Sequence, residues 1–496
     1  MIKTAFPALR GGNQGIALIE GDARHSYAAL ESRVEAFACV LLGQRDHLAG
    51  ERVALLIPAG RDYVTALHGV WRAGGIAVPL NVAAARPELE YCLSKAGATR
   101  VMTSRKHPVA IDPVCKKLGI EARDVDEALE ASGKPRPLPA FELSRPAMIV
   151  FTSGTTSKPK GAVITHKAIH AQVTTLIEAW RWTRNDSVPL FLPLHHLHGI
   201  INVLSCALWC GATVHAVPKL DVARLCEQAG SGAFSVFMAV PTVYVKLIEH
   251  IESLAPPQRK AVCEGFREMR LNVSGSAACP AHVFGRWKKL TGQALLERYG
   301  ATEIGMAISN PYDGERRAGF VGRALPGVSA QLFDENDRPV RTEGVSGEIR
   351  VRSESVFEGY WKDERGTRES FTDGWFRTGD IAVIEDGYYR ILGRSSVDIV
   401  KSGGYKISAL EIEDVLLTHE DIRQAAVVGL PDDTWGEIVA AAVTLKDGAS
   451  LDLAGLKQWC AGRMSAYKIP RRLKVMRDLP RNAMGKVVKT ALRDLL

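Results

Sequence analysis

The chain has no Cys-x-x-Cys pair, and its nine cysteines are odd in number and scattered over 496 residues. That spacing offers neither a disulfide framework nor a zinc site. Cys206 and Cys210 fall in the apolar run "VLSCALWCGA", which suits unoxidised core residues. There is no apolar signal core in "MIKTAFPALRGGNQG", and no uninterrupted apolar run of the roughly 18–20 residues that a membrane span needs. The expectation is a cytoplasmic protein with no integral membrane segment. The basic excess, a formal net charge of +8, is spread out with no aromatic residues interleaved. This argues against nucleic acid and for small phosphorylated ligands. Internal repeats and low-complexity segments are also absent.

What is present is the balance of a globular protein, 46% hydrophobic and 24% charged, in a chain too long for one ordinary domain. Over the first third, strand-length apolar runs ("ERVALLIP", "IAVPLN", "TRVMTS") alternate with amphipathic stretches ("GRDYVTALHGVWRAGG", "RPELEYCLSKAGA"). Such alternation predicts βαβ units and a covered, largely parallel sheet. After residue 147 the pattern resumes with "PAMIVF", "GAVITH" and the helical "KAIHAQVTTLIEAW". "GATVHAVP", "FSVFMAV", "MRLNVSGSA" and "ALLERYG" read as further strands with polar residues at their C-terminal edges, where open α/β sheets bind ligands. From about residue 322, short strands punctuated by Gly and Pro predict an antiparallel β subdomain with hairpin turns such as "EDG". A compact α+β unit follows, with the boundary near residue 394.

One stretch concentrates anion-binding groups. "FTSGTTSKPKG" (151–161) offers the hydroxyls of Thr152, Ser153, Thr155 and Thr156, the bare backbone of Gly154, and the charges of Lys158 and Lys160. It lacks the Walker A spacing GxxxxGK[ST]. By composition alone a solvated Ser/Thr/Gly turn is the favoured reading.

In order, "TSGTTSKPKG" resembles the phosphate-binding signature of the acyl-adenylating enzymes, the superfamily of acyl-CoA synthetases, nonribosomal-peptide adenylation domains and beetle luciferases. "PLHHLHG" (193–199), "ERYGATE" (297–303), "GWFRTGD" (374–380), "GRSSVDIVKSGGYKIS" (393–408) and "PRNAMGK" (480–486) follow in that superfamily's order. The resemblance implies an α/β fold: a large N-terminal ATP- and acyl-binding domain (1–393) of layered α/β subdomains plus a β subdomain, a hinge (394–398), and a small mobile α+β C-terminal domain (399–496). It implies a ligase that makes an acyl-adenylate from ATP and a carboxylic acid, then an acyl-CoA thioester, using Mg²⁺.

Residue by residue, the resemblance makes Thr152, Ser153, Gly154, Thr155, Thr156 and Lys160 the triphosphate cradle. It makes Tyr299 the adenine contact, Thr302 the α-phosphate donor, Glu303 the Mg²⁺ ligand, and Asp380 with Arg394 the ribose contacts. Lys486 bridges the acid and the α-phosphate, a task suited to a compact ammonium on a flexible stem. After domain rotation about Ser396 or Asp398, Lys401, Ser402, Gly403 and Gly404 pass the pantetheine arm of coenzyme A. Two departures stand out: the spacing from Arg394 to "SGG" is one residue longer than in many relatives, and Ser157 replaces the usual Gly.

The acid is read from the pocket. Arg298, Ser274, Ser276, His196 and Met306 are the expected acyl contacts, with His196 a pocket wall or carboxylate contact. A buried guanidinium without a carboxylate is costly, so Arg298 in an acyl pocket asks for a substrate with a second negative charge. The alternative is an ion pair with Glu297, although alternation puts neighbouring strand residues on opposite faces. The segments "LERYGATEIGMAISNPYDGERR" and "LPLHHLHGIINV" are also similar to malonyl-CoA synthetases, with Ala301 where Met is usual. Malonate or methylmalonate is therefore expected. A medium-chain or aromatic acyl-CoA synthetase, or a lapsed enzyme that only binds adenylate, stays open.

Overall fold

The computed structural model describes residues 6, 9, 13–105, 111–130, 136–152, 159–395, 397–402, 405–481 and 487–496. Ser153, Gly154, Thr155, Thr156, Ser157, Lys158, Ser396, Gly403, Gly404 and Lys486 therefore lie outside the described residues.

The alternating runs of the first third become a seven-stranded sheet in the order Gly359–Tyr360, Lys160–Thr165, Pro146–Thr152, Ile76–Pro79, Arg52–Leu55, Arg100–Thr103, Glu121–Asp124. Its central strands are apolar on both faces, as a sheet covered by helices requires, and Val53, Ala54, Ala77, Val78, Met148 and Ile149 are fully buried. The helices Arg61–Arg72 and His166–Trp180 arise from two of the predicted amphipathic stretches. The second starts where the Thr165 hydroxyl accepts from the Ala168 N–H at 3.1 Å, an N-cap. The sheet is parallel from Pro146–Thr152 outward, but Lys160–Thr165 and Gly359–Tyr360 join it antiparallel. The reason is local: too few residues separate Thr152 from Lys160 for a crossover helix, which a parallel neighbour would need.

A second sheet orders Ala23–Ser26, Ile16–Glu20, Thr213–Ala216 and Ser187–Leu190. A third orders Val236–Ala239, Leu271–Ser274, Leu296–Ala301, Gly305–Ser309 and Arg323–Ala324. The predicted antiparallel β subdomain is present, built on Ser329–Phe333, Gly347–Arg352, Trp375–Glu385 and Tyr388–Arg394. Beyond it a five-stranded sheet around Ile422–Asp432 and Gly436–Leu445 carries one apolar cluster on each face. Among the described residues, no buried apolar cluster spans 394–398.

No helix among the described residues is long and apolar enough to cross a membrane. All nine cysteines are free, and seven are buried. After "PLHHL" the chain forms a π-helix, His198–Ser205. Its first turn is crowded, since a Cβ on Gly199 would lie 2.8 Å from the Pro193 carbonyl oxygen.

The hairpin of the third sheet closes on bare backbone. A Cβ on Gly300 would lie 2.1 Å from the carbonyl oxygen of Gly305, so only glycine lets the two strands close. Gln172 clamps the far side: its side-chain oxygen accepts from the Met306 N–H, and its amide nitrogen donates to the Met306 carbonyl at 3.4 Å. Gly300→Ala is expected to lower the thermal midpoint by several degrees, ~1–3 kcal/mol, in a calorimetric scan. Gly285→Ala, in a helix with nothing within 4 Å of the added methyl, is expected to leave or raise it.

Candidate active site

The hairpin turn "ATEIG" places Thr302 and Glu303 at the C-terminal edge of the third sheet. The Tyr360 hydroxyl donates to Glu303 Oε1 at 2.9 Å, and the Phe357 N–H donates to the Glu303 carbonyl at 2.8 Å. Burial, then the Glu303 charge, pushes the Tyr360 phenol above its ordinary range, so it stays a donor. Lys160 stands 4.7 Å from the Tyr360 ring centre and 3.2 Å from Asp363. Thr152 pairs with Lys160 across the hairpin's base. The structure therefore brings Thr152 to Lys160 and Lys160 to the ring whose hydroxyl holds Glu303. Tyr360 was not singled out in the sequence; the neighbouring aromatics in "EGYW" were its only trace.

A second cluster joins three elements. The Tyr299 hydroxyl donates to Asp380 Oδ2 at 2.6 Å, and Arg394 Nε donates to Asp380 Oδ1 at 3.2 Å. Asp380 lies opposite Arg394 in the ladder between Trp375–Glu385 and Tyr388–Arg394. Burial raises its carboxyl despite the opposing pull of Arg394 and Tyr299. The fold thus brings Tyr299, Asp380 and Arg394 together.

The third cluster surrounds Arg298, which is 4% exposed. A Cβ on Gly275 would fall 2.5 Å from its Cζ, so the guanidinium occupies the space a side chain would take. Arg298 Nη2 donates to the Ser276 hydroxyl at 3.4 Å, while Nε is buried without a hydrogen-bond partner. Among the described residues no carboxylate lies within ion-pair distance of it. Burial pulls its pKa down to about 9.

Glu297, on the opposite face, instead accepts from the Gly319 N–H at 3.1 Å; it is not Arg298's partner. Ser276 holds a positive φ of 67°, unusual for serine, with its hydroxyl 3.1 Å from His198 Nδ1. The imidazole that meets Ser276 is thus His198; the ring of His196 lies 4.1 Å from that of His195. The bend into the π-helix, invisible to strand or helix periodicity, turns His198 inward. Burial, followed by the Arg298 charge, holds the His198 imidazole well below its usual range and hence neutral. Ser274 is buried at its strand's end, and Met306 is buried beneath the hairpin.

On the smaller unit, Lys401 is exposed and its N–H donates to Glu437 Oε2 at 2.7 Å, while Ser402 is buried opposite Gly436. Among the described residues no group of three or more His, Cys, Asp or Glu could hold a metal.

Residues 8–361 match the model of the AMP-binding enzyme family, and 411–486 match that of the AMP-binding enzyme C-terminal domain. The chain belongs to the AMP-binding enzyme family. It is 42% identical to the mitochondrial malonate–CoA ligase ACSF3 of Bos taurus, over 97% of this chain and 88% of that one. The structure of ATP-bound MatB from Rhodopseudomonas palustris superposes with a TM-score of 0.90 at 32% identity, covering 100% of this chain and 99% of that one. A malonyl-CoA ligase in a ternary product complex with methylmalonyl-CoA and AMP superposes with a TM-score of 0.70 at 34% identity, covering 96% of this chain and 100% of that one. This AMP-binding enzyme thus has the acyl-adenylating fold expected from its motifs. The mitochondrial designation is that of a relative, and the cytoplasmic expectation for this chain rests on its sequence alone.

Glu297 yields a pH test. Burial raises its carboxyl to about 8, with Asp414 adding to the rise and the Gly319 and Cys279 N–H groups opposing it. The folded state therefore keeps the proton that the unfolded chain loses above its ordinary value of 4.5, and the stability this confers declines as pH rises towards 8. Glu297→Gln, which keeps an acceptor for Gly319, is expected to raise the melting temperature by about 2–5 °C at pH 8.5 and less at pH 5.5. An equal gain at both pH values would contradict the assignment.

Proposed function

We propose that this chain is an ATP-dependent acid:CoA ligase whose acid is malonate or a methyl-substituted malonate. The observation that carries the choice of acid is Arg298, a buried guanidinium with no carboxylate partner among the described residues. Removing a charge from water costs several kcal/mol unless it is paired. A diacid presents one carboxylate to ATP and leaves the other for this group. Ser276 and neutral His198 contribute hydrogen bonds without a competing charge. The names of the bovine and bacterial relatives favour the same acid.

In this reading a carboxylate oxygen attacks the α-phosphorus of ATP, the bond to the bridging oxygen breaks, and pyrophosphate leaves. The thiol of coenzyme A, losing its proton, then attacks the acyl carbon and AMP departs. The acid is already ionised near neutral pH, so the first step needs positioning and charge neutralisation rather than a base. Thr302 faces the α-phosphate, and Tyr299 lies along the adenine with its hydroxyl anchored on Asp380. Asp380 and Arg394 meet the ribose, and Thr152 and Lys160 flank the triphosphate. Glu303, a hard oxygen donor held by Tyr360, fits Mg²⁺, which supplies neutralisation of the phosphate oxygens when bound.

The roles of Ser153, Gly154, Thr155, Thr156 and Lys486, and of Gly403 and Gly404 beside Lys401 and Ser402 on the path of the pantetheine arm, rest on sequence resemblance. The role of His196 as a pocket wall or carboxylate contact likewise rests on sequence resemblance. The chain divides into 1–393, a pivot at 394–398, and 399–496. The higher superposition on the ATP-bound relative than on the product complex supports an adenylating arrangement.

The test is CoA-dependent AMP formation with ATP and Mg²⁺ across malonate, methylmalonate, acetate, octanoate and benzoate. Diacids are expected to be preferred, and Arg298→Ala to lower kcat/KM for malonate by ~10²–10³ while changing acetate little. Preference for octanoate or benzoate, indifferent to Arg298→Ala, would return the protein to the medium-chain or aromatic synthetases. No AMP with any acid would mark a lapsed enzyme.

A further inference from the structure

Lys489 is the first residue of the C-terminal helix Lys489–Leu495, where the helix dipole disfavours a cation. Its side chain is nonetheless only 9% exposed, with Nζ 2.6 Å from Asp398 Oδ1 and 2.7 Å from Glu413 Oε1. Burial alone would discharge it; the two carboxylates more than offset this and keep it protonated. Glu413 is fixed in turn by the Val427 N–H at 2.6 Å, inside the small unit.

Asp398 faces both ways. Its Oδ2 accepts from the Arg394 N–H at 3.1 Å, and the Asp398 N–H donates to the Arg394 carbonyl at 2.8 Å. A Cβ on Gly393 would lie 2.3 Å from Asp398 Cβ, so the side chain packs over bare backbone there. Arg394 is itself tied to Asp380 and, through it, to Tyr299. One polar chain therefore runs from Tyr299 through Asp380, Arg394, Asp398 and Lys489 to Glu413. Within this polar chain Asp398 is the member that touches both sides of the turn; outside it, the Ser408 hydroxyl also crosses, donating to the Leu392 carbonyl at 2.5 Å. A change in any backbone torsion from Arg394 up to Asp398 φ moves its carboxylate relative to Arg394. A change in Asp398 ψ moves it relative to Lys489. Either way one of the two contacts is lost.

We propose that Lys489 is a positioning residue that holds the small domain in the arrangement described here, by pairing with Asp398 at the pivot. The ligand of the reaction does not touch it. Its pair with Asp398 is an element with two states, made and broken, whose balance sets how much time the protein spends arranged for adenylation. In the sequence Lys489 lies three residues after Lys486.

The inference rests on the ligase reading, and two half-reactions keep the two apart. The full chain would be assayed for malonate-dependent ATP–pyrophosphate exchange, and by rapid quench for transfer of the acyl group from bound malonyl-adenylate to coenzyme A. Lys489→Met, which keeps length and apolar bulk, is expected to slow exchange about tenfold and leave transfer within about twofold. Lys489→Arg is expected to restore most of the exchange. Equal effects on both half-reactions, or on neither, in a variant that melts near wild type would overturn the proposal. If Lys489→Met does not fold, Asp398→Asn, which leaves Lys489 paired with Glu413, is read in the same two assays, and the same equality would overturn it. A wild-type protein without malonate-dependent exchange would overturn the ligase reading and this inference with it.

Discussion

The arrangement hangs on one buried carboxylate. Asp380 sits where the β subdomain meets the third sheet, and each of its oxygens receives a hydrogen bond from a different element, Tyr299 on one side and Arg394 on the other. Without that carboxylate a partly buried phenol and an exposed guanidinium would each lose a partner, and the loss falls on a carboxylate site that is itself buried. Its partners also fix direction: Tyr299 belongs to the strand that leads into the Thr302–Glu303 turn, and Arg394 to the one that leads into the small unit. A single anion thus registers the Thr302–Glu303 turn against the strand that leads into the small unit.

Legibility in the sequence followed the range of the interaction. The strands of the first sheet and the helices between them were readable because burial on two faces writes itself locally as continuous or periodic apolar runs. Tyr299, Asp380 and Arg394 were readable as separate motifs, and the fold does bring them together. The antiparallel entry of Lys160–Thr165 depended on the length of a connection rather than on composition. The placing of His198 beside Ser276 depended on a π-helical bend, which has no apolar period of its own. Tyr360 reaches Glu303 from a two-residue strand contributed 57 residues further along the chain, a pairing that no local pattern encodes.

Adjacent residues on one strand show how strongly the face decides chemistry. Glu297 and Arg298 have opposite formal charges and could have neutralised one another, yet the pleat sends them apart. Each ends buried and each is displaced towards neutrality, the acid upward and the base downward. The acid is relieved by backbone N–H groups. The base has only a serine hydroxyl, and that imbalance is what a dianionic ligand would correct. Polar groups poised in this way are the usual mark of a binding surface rather than of a stabilising core.

The burial of the cysteines has a bearing on self-damage. An acyl-adenylate is a mixed anhydride and will acylate any thiolate that reaches it, whether or not that thiolate belongs to the intended acceptor. Cys279, at the end of the loop after Ser274, is 2% exposed, and burial pushes its thiol well above the ordinary range. Cys206 and Cys226 are shifted in the same direction by the same cause. Since the thiolate and not the thiol is the nucleophile, burial makes these three side chains poor nucleophiles. Burial of these three thiols thus withholds them from an electrophile made for sulfur and favours the incoming cofactor thiol as its acceptor.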